Sequence, residues 1–264
     1  MISQGWEKKR MIKDAGRQID VIVEARMTSS RLPGKVLMPA VGKPMLELMV
    51  ERLRLIPEIT KIIIATTENC ADEPIVALAE MLGVDCFRGD EEDVLGRVVK
   101  AAQRFKTDII VEITGDDPLL DPELSSAVIK TFLMNESKID YAANDIDWTF
   151  PIGLNTRAFS RGLLEKVERL TFHPVDREHV VNYIVKHPDQ FRLHNIPAAG
   201  IYRRKDIRLT LDTAADYQVI KTVFETLYPM NPAFTAKEVI RFLNAHPEVL
   251  KLNQYIVQRT YSYE

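Results

Sequence analysis

A chain of 264 residues with 46% hydrophobic and 28% charged side chains is long enough to bury a substantial core, and one α/β domain is the prior that its length sets. Its formal net charge of -3 excludes a general attraction to nucleic acid or to an anionic membrane, so any bound anion must be held by a local cluster. Only two cysteines and no apolar run near the roughly 20 residues of a bilayer span exclude a disulfide-stapled secreted domain and a transmembrane protein.

Residues 1–18 mix charge with isolated apolar positions and lack the continuous apolar stretch of a signal peptide, which predicts an arm on a cytoplasmic protein. Asp20 to Ala25 is a β-branched run suited to a strand buried on both faces, and it ends in a loop from Arg26 to Lys35. Pro44 opens a helical pattern that puts Leu46, Met49, Val50 and Leu53 on one face. The rhythm repeats with a strand at Lys61 to Thr66, a helix at Pro74 to Leu82, a short strand at Val84 to Phe87 and a helix at Glu92 to Phe105. Asp108 to Ile113 is the next strand, and Pro122 to Leu133 the next helix. This alternation predicts a mostly parallel sheet covered by helices, with ligands at the carboxyl ends of its strands.

After Ile139 to Ala142 the rhythm breaks. Residues of about 144–201, with helices from Arg161 and Asp176 and an apolar run at Phe191 to Leu193, read as an insertion in a single domain spanning 19–264. Ile207 to Leu211 then predicts a strand, and Thr213 to Leu227 and Ala236 to Leu243 predict closing helices.

Between Glu24 and Glu47 there is no acidic residue, while Arg26, Arg31, Lys35 and Lys43 supply four cations. A loop that leaves a buried strand with Ser29, Ser30 and Gly34 lets backbone N–H groups approach a polyphosphate, although a solvated basic loop fits the composition equally well. It is not a Walker A loop, because Gly34-Lys35 is followed by Val36 and lacks the upstream glycine. Thr114-Gly115-Asp116-Asp117-Pro118 and Asp121 crowd three carboxylates after another buried strand. Mg²⁺ takes one or two carboxylates together with phosphate oxygens, and Asp116 is its candidate ligand; Asp121, directly before Pro122, suits a helix cap. Asp212, at the end of Arg208-Leu209-Thr210-Leu211, suits either a cap or a second metal ligand, with the cap favoured by position alone.

The stretch Ala25-Arg26-Met27-Thr28-Ser29-Ser30-Arg31-Leu32-Pro33-Gly34-Lys35-Val36-Leu37 resembles the signature loop of the CMP-sugar synthetases, which include the acylneuraminate and 3-deoxy-manno-octulosonate cytidylyltransferases. Within that family it is most similar to the branch of spore coat polysaccharide biosynthesis proteins of the SpsF type. Phe87 to Leu95, Ile113 to Leu119 and Leu209 to Thr213 agree in order and spacing, so the resemblance spans most of the chain. It implies a Rossmann-like nucleotidyltransferase sheet of the GT-A type, a three-layer sandwich in which the signature loop wraps the triphosphate of CTP.

By that resemblance Arg26, Arg31, Lys35 and Asp116 are the catalytic residues, with Ala25, Ser30, Thr66, Thr67 and Arg88 also at the nucleotide and Asp116 and Asp212 holding Mg²⁺. This overturns the simple cap at Asp212. The acceptor, an acidic sugar or similar small molecule, is expected over the insertion near Asn144, Gly153, Asn155, Glu178 and His179. There the family usually shows Tyr-Pro-Asp-Gly-Leu-Asp, whereas this chain reads Phe150-Pro151-Ile152-Gly153-Leu154-Asn155. Both acids are lost, which suits a more anionic or differently shaped acceptor, or a loss of activity. The resemblance also implies a homodimer. A glycosyltransferase using a nucleotide-sugar donor and a non-catalytic nucleotide-binding protein are the competing readings.

Overall fold

The computed structural model describes residues 16–259, so most of the expected N-terminal arm lies outside the described residues. In chain order the elements are β1 (Ile19–Glu24), β2 (Pro39–Ala40), β3 (Lys43–Pro44), α1 (Met45–Leu53), β4 (Lys61–Thr67), α2 (Glu73–Leu82), β5 (Asp85–Gly89), α3 (Val94–Phe105), β6 (Ile109–Thr114) and α4 (Pro122–Asn135). They continue with β7 (Tyr141–Ala143), β8 (Arg157–Ser160), α5 (Arg161–Leu170), α6 (Pro174–Glu178), α7 (Asn182–Lys186), β9 (Leu193–Asn195), α8 (Ala214–Leu227), α9 (Ala236–Ala245) and α10 (Pro247–Leu250).

Seven strands form one sheet in the order β5-β4-β1-β6-β8-β7-β9. β8 alone runs against its neighbours, so the sheet is mostly parallel, as the alternating pattern predicts. The buried strands work on both faces. Val21 and Val23 pair in register with Ile62, Ile64, Val111 and Ile113, and these side chains pack with α1, α2 and α4. Ile22, Ile63 and Ile110 point the other way, onto α3 and α5. Helix, sheet and helix make the three layers. A separate cluster joins Ile207, Leu209 and Leu211 to α8 and α9.

The region 144–201 is woven into this sheet: it supplies β8, which enters between β6 and β7, and β9 at the edge. The strand expected at Ile207 to Leu211 is extended chain with one isolated bridge, Ile152 to Arg208. Its backbone is held by bonds from Leu209 N–H to Ile152 O (2.7 Å) and from Leu211 N–H to Asp116 O (2.7 Å). The apolar alternation is real, because Ile207, Leu209 and Leu211 are all fully buried, but they anchor the segment to α8 and α9 instead of the sheet. The helix expected from Asp176 starts at Pro174 and is split into the two short turns α6 and α7. Among the described residues no helix is long and apolar enough to cross a membrane.

Asp121 takes the capping role that its position suggests. Its Oδ1 accepts from the N–H groups of Glu123 and Leu124 at the start of α4, and its Oδ2 accepts from Ala236 N–H (2.5 Å) at the start of α9. One buried carboxylate thus ties two helix starts together. Asp121→Ala should lower the unfolding free energy by about 2–4 kcal/mol, a lost cap plus an orphaned buried N–H, as read from denaturant melts.

Candidate active site

The loop after β1 is shaped before any ligand is considered. Asp72, fully buried, accepts from Met27 N–H (2.7 Å) and from the hydroxyls of Thr66 (3.1 Å) and Thr67 (2.5 Å). Gly34 adopts φ 72°, a left-handed conformation that side chains disfavour, and its N–H closes the loop onto Met27 O (2.8 Å). A single 3₁₀ turn, Lys35–Leu37, follows and aims Lys35 inward.

Lys35 is only 8% exposed, and its ammonium meets two carboxylates, Asp116 Oδ2 at 2.8 Å and Asp212 Oδ1 at 2.9 Å. Arg31 Nη2 donates to the same Asp212 oxygen at 2.7 Å, and Arg208 holds the other at 2.8 Å. The cations of the first loop and the acids of the middle and end of the chain therefore converge on one point. Asp212 does not cap α8. Thr213 does, in a reciprocal capping box with Asp216, which leaves the Asp212 carboxylate to face the cleft.

Burial acts to raise the Asp116 carboxyl, but the Lys35 charge and hydrogen bond outweigh it and bring the group down to about 2. Lys35 is pushed up by its two acids against the opposing effect of burial. Asp117, 1% exposed and beside ionised Asp116, is held well above the usual carboxylate range by burial first and by that neighbouring charge second.

These groups open into a cleft of about 690 Å³. Ala25, Arg26, Ser30, Arg31, Lys35, Asp116, Asp212, Asn155, Glu178 and His179 all line it. Five expected site residues do not, and each has another duty. Thr66 and Thr67 bind Asp72, as described. Arg88 braces the turn after β4 by donating to Thr67 O (2.9 Å), Asn69 O (3.0 Å) and Glu73. Asn144, 1% exposed, clasps Leu154 O (2.8 Å) and Thr156 N–H (2.9 Å). Gly153, at φ 99°, lets the backbone of Leu209 and Thr210 pass where a Cβ would come within 2.5 Å. These last two shape the wall without forming it.

A buried network absent from the sequence-based expectations also lines the cleft, close enough for the Glu112 and Asp116 charges to act on each other. Arg157 makes a two-pronged bond to Glu112 (2.9 and 2.7 Å) and a second to Asp145 (2.9 and 2.6 Å), and all three residues line the cleft. Glu112 was the available signal, a lone carboxyl inside the apolar run of β6.

For a divalent cation, the chemistry of the donors fits. Asp116 and Asp212 offer hard carboxylate oxygens that both meet Lys35 Nζ, and carboxylates of this kind are what Mg²⁺ takes together with phosphate oxygens and water. Among the described residues no group of three or more His, Cys, Asp or Glu side chains is placed to hold a metal ion.

Residues 21–244 match the family model of the cytidylyltransferases. The spore coat polysaccharide biosynthesis protein SpsF of Bacillus subtilis is 34% identical over 232 residues, covering 86% of this chain and 94% of that protein. A solved cytidylyltransferase from Leptospira borgpetersenii is 31% identical and superposes with a TM-score of 0.85, covering 92% of this chain and 100% of the other. A CMP:2-keto-3-deoxy-manno-octonic acid synthetase solved with CTP shares the fold at 17% identity, with a TM-score of 0.59 over 79% of this chain and 98% of its own. The nucleotidyltransferase sheet implied by the signature loop is the one observed.

The Lys35–Asp116 contact has a definite acid-side signature. A carboxyl depressed in the folded state contributes stability that is complete above the usual Asp value of 3.8 and is lost as pH falls from there towards about 2. Lys35→Met should raise the Asp116 carboxyl by about 1–3 pH units, measured by carbon-detected NMR of the aspartate side chains.

Proposed function

Because the chain belongs to the cytidylyltransferase family, we propose that it transfers CMP from CTP to an acidic sugar or a similar small acceptor, releasing pyrophosphate, in the synthesis of a surface polysaccharide or glycoconjugate. The observation that carries this reading is the meeting of Arg31 and Lys35 with Asp116 and Asp212 in one nucleotide-sized cleft.

An acceptor oxygen attacks the α-phosphate in line, and negative charge builds on the departing pyrophosphate. Cations already fixed beside those oxygens stabilise the transition state more than the ground state. Lys35 is held in place by two acids and Arg31 by one, so neither must be reorganised from bulk water when the phosphates arrive. Arg26, weakly paired with Glu91 at 3.5 Å, is the loop cation with the least to give up on meeting a phosphate. Asp116, with a quarter of its side chain exposed, and Asp212 would supply the oxygens for Mg²⁺. The ion would polarise and orient the phosphates. No protein nucleophile is required.

The acceptor is assigned to the side of the cleft built by region 144–201, near Asn155, Glu178 and His179. Burial lowers His179 and so favours its neutral ring, the form that can accept a proton from an acceptor hydroxyl. A neutral Asn155 removes a negative charge that would repel an acid.

The test is to incubate the protein with CTP, Mg²⁺ and a panel of sugar acids while following pyrophosphate. Release should require CTP and one accepted acid together. Asp116→Asn should cut turnover by roughly 10²-fold with secondary structure retained, since contacts to a transferring phosphoryl group contribute several kcal/mol. A near-normal rate would remove Asp116 from the site. Turnover of a nucleotide-sugar donor instead would mark a glycosyltransferase, and CTP binding without pyrophosphate from any acceptor would mark a binding protein.

A further inference from the structure

Asp212 is gripped from two sides. Arg31 and Lys35 share its Oδ1, and Oδ2 belongs to Arg208. Arg208 is 4% exposed and is itself fixed by three groups: Asp216, which accepts from its Nε at 2.9 Å, Asn253 and Gln258. Asn253, fully buried, donates to both the Arg208 carbonyl (3.0 Å) and Asp216 Oδ1 (2.9 Å). Gln258 Oε1 accepts from Arg208 Nη1. Two of these groups come from the segment after α10, past residue 244, where the match to the family model ends.

That segment is not docked by apolar burial. Tyr255 is 72% exposed and Val257 86% exposed, so the chain that carries Gln258 has little hydrophobic reason to lie where it does. Backbone bonds from Lys251 and Leu252 tie its start to α10, and beyond them the side-chain bonds of Asn253 and Gln258 lead to Arg208 and Asp216. Gln258 and its neighbour Arg259 both line the catalytic cleft.

We propose that the C-terminal segment 251–259 serves the site through two of its residues, Asn253 and Gln258, which act as positioning residues that lock Arg208 and through it set the Asp212 carboxylate for magnesium-bound CTP. The guanidinium has five donors in a rigid fork, and without Gln258 its Nη1 side loses its acceptor, which leaves Asp216 to resist a shift of the grip away from Asp212 Oδ2. Outer partners of this kind govern the orientation of the group that binds the ion. This inference rests on the reading that Asp212 serves the nucleotide.

The experiment is calorimetric titration of the full chain with CTP, at several Mg²⁺ concentrations, for the parent, Gln258→Ala, Gln258→Glu, Asp212→Asn and the double variant Gln258→Ala/Asp212→Asn. Gln258→Ala should weaken Mg²⁺-dependent CTP binding by about tenfold, the scale of outer-partner effects on metal sites. Gln258→Glu keeps an acceptor for Arg208 and should restore it, and the double variant should bind no worse than Asp212→Asn alone. Gln254→Ala, on the exposed side of the same segment, should match the parent. The inference is overturned if Gln258→Ala binds CTP like the parent, or merely melts earlier with affinity unchanged, while Asp212→Asn binds weakly. If Asp212→Asn also binds like the parent, the nucleotide assignment of Asp212 falls, and the positioning role falls with it.

Discussion

Lys35 holds the site together. Its ammonium is nearly buried between Asp116 and Asp212, which lie 81 and 177 residues further along the chain. Placing carboxylates in a poorly solvated cleft is costly unless a cation meets them, and removing one partner of such a set leaves an uncompensated charge. The loop, the turn after β6 and the extended segment before α8 must therefore arrive together or not at all. The two acids are not equivalent. Asp212, with 3% of its side chain exposed, is matched by three cations, whereas Asp116, with 25% exposed, is matched by Lys35 and looks into the cleft.

The remainder of the molecule delivers these three pieces to one edge. β1 and β6 are adjacent and parallel, so the loops that follow them emerge side by side at their carboxyl ends. The extended segment 207–212 reaches the same place by a different route, anchored by Ile207, Leu209 and Leu211 in the third hydrophobic cluster while Thr210 and Asp212 face the cleft. Strand periodicity thus serves positioning here, although no ladder forms.

The legible part of the fold was the part with local physics. β1, β4 and β6 are β-branched runs, α2 and α4 carry proline in their first turns, and Asp121 stands where a cap belongs. The cationic loop and the crowded acids were visible as charge patterns, and order and spacing joined them into one resemblance. What escaped were features that depend on how the chain turns back on itself or on partners distant in sequence. Thr66 and Thr67 look like site residues at a strand end, yet Asp72 claims both. Gly153 reads as part of a motif, and only the passage of Leu209 and Thr210 beside it shows its duty. β8 sits between β6 and β7 because of sheet order, which four residues of sequence do not announce. The grip of Asn253 and Gln258 on Arg208 spans 45 and 50 residues and has no local signature.

In the proposed reaction the triphosphate lies between the first loop and the two carboxylates. Phosphorus NMR of CTP with the full chain, with a trace of Mn²⁺ replacing Mg²⁺, addresses that placement directly. All three phosphate resonances should shift on binding and broaden through the nearby ion, and Lys35→Ala should abolish both effects. If CTP binds with its base signals shifted while the phosphate resonances stay as in free nucleotide, the cleft has been assigned to the wrong end of the molecule.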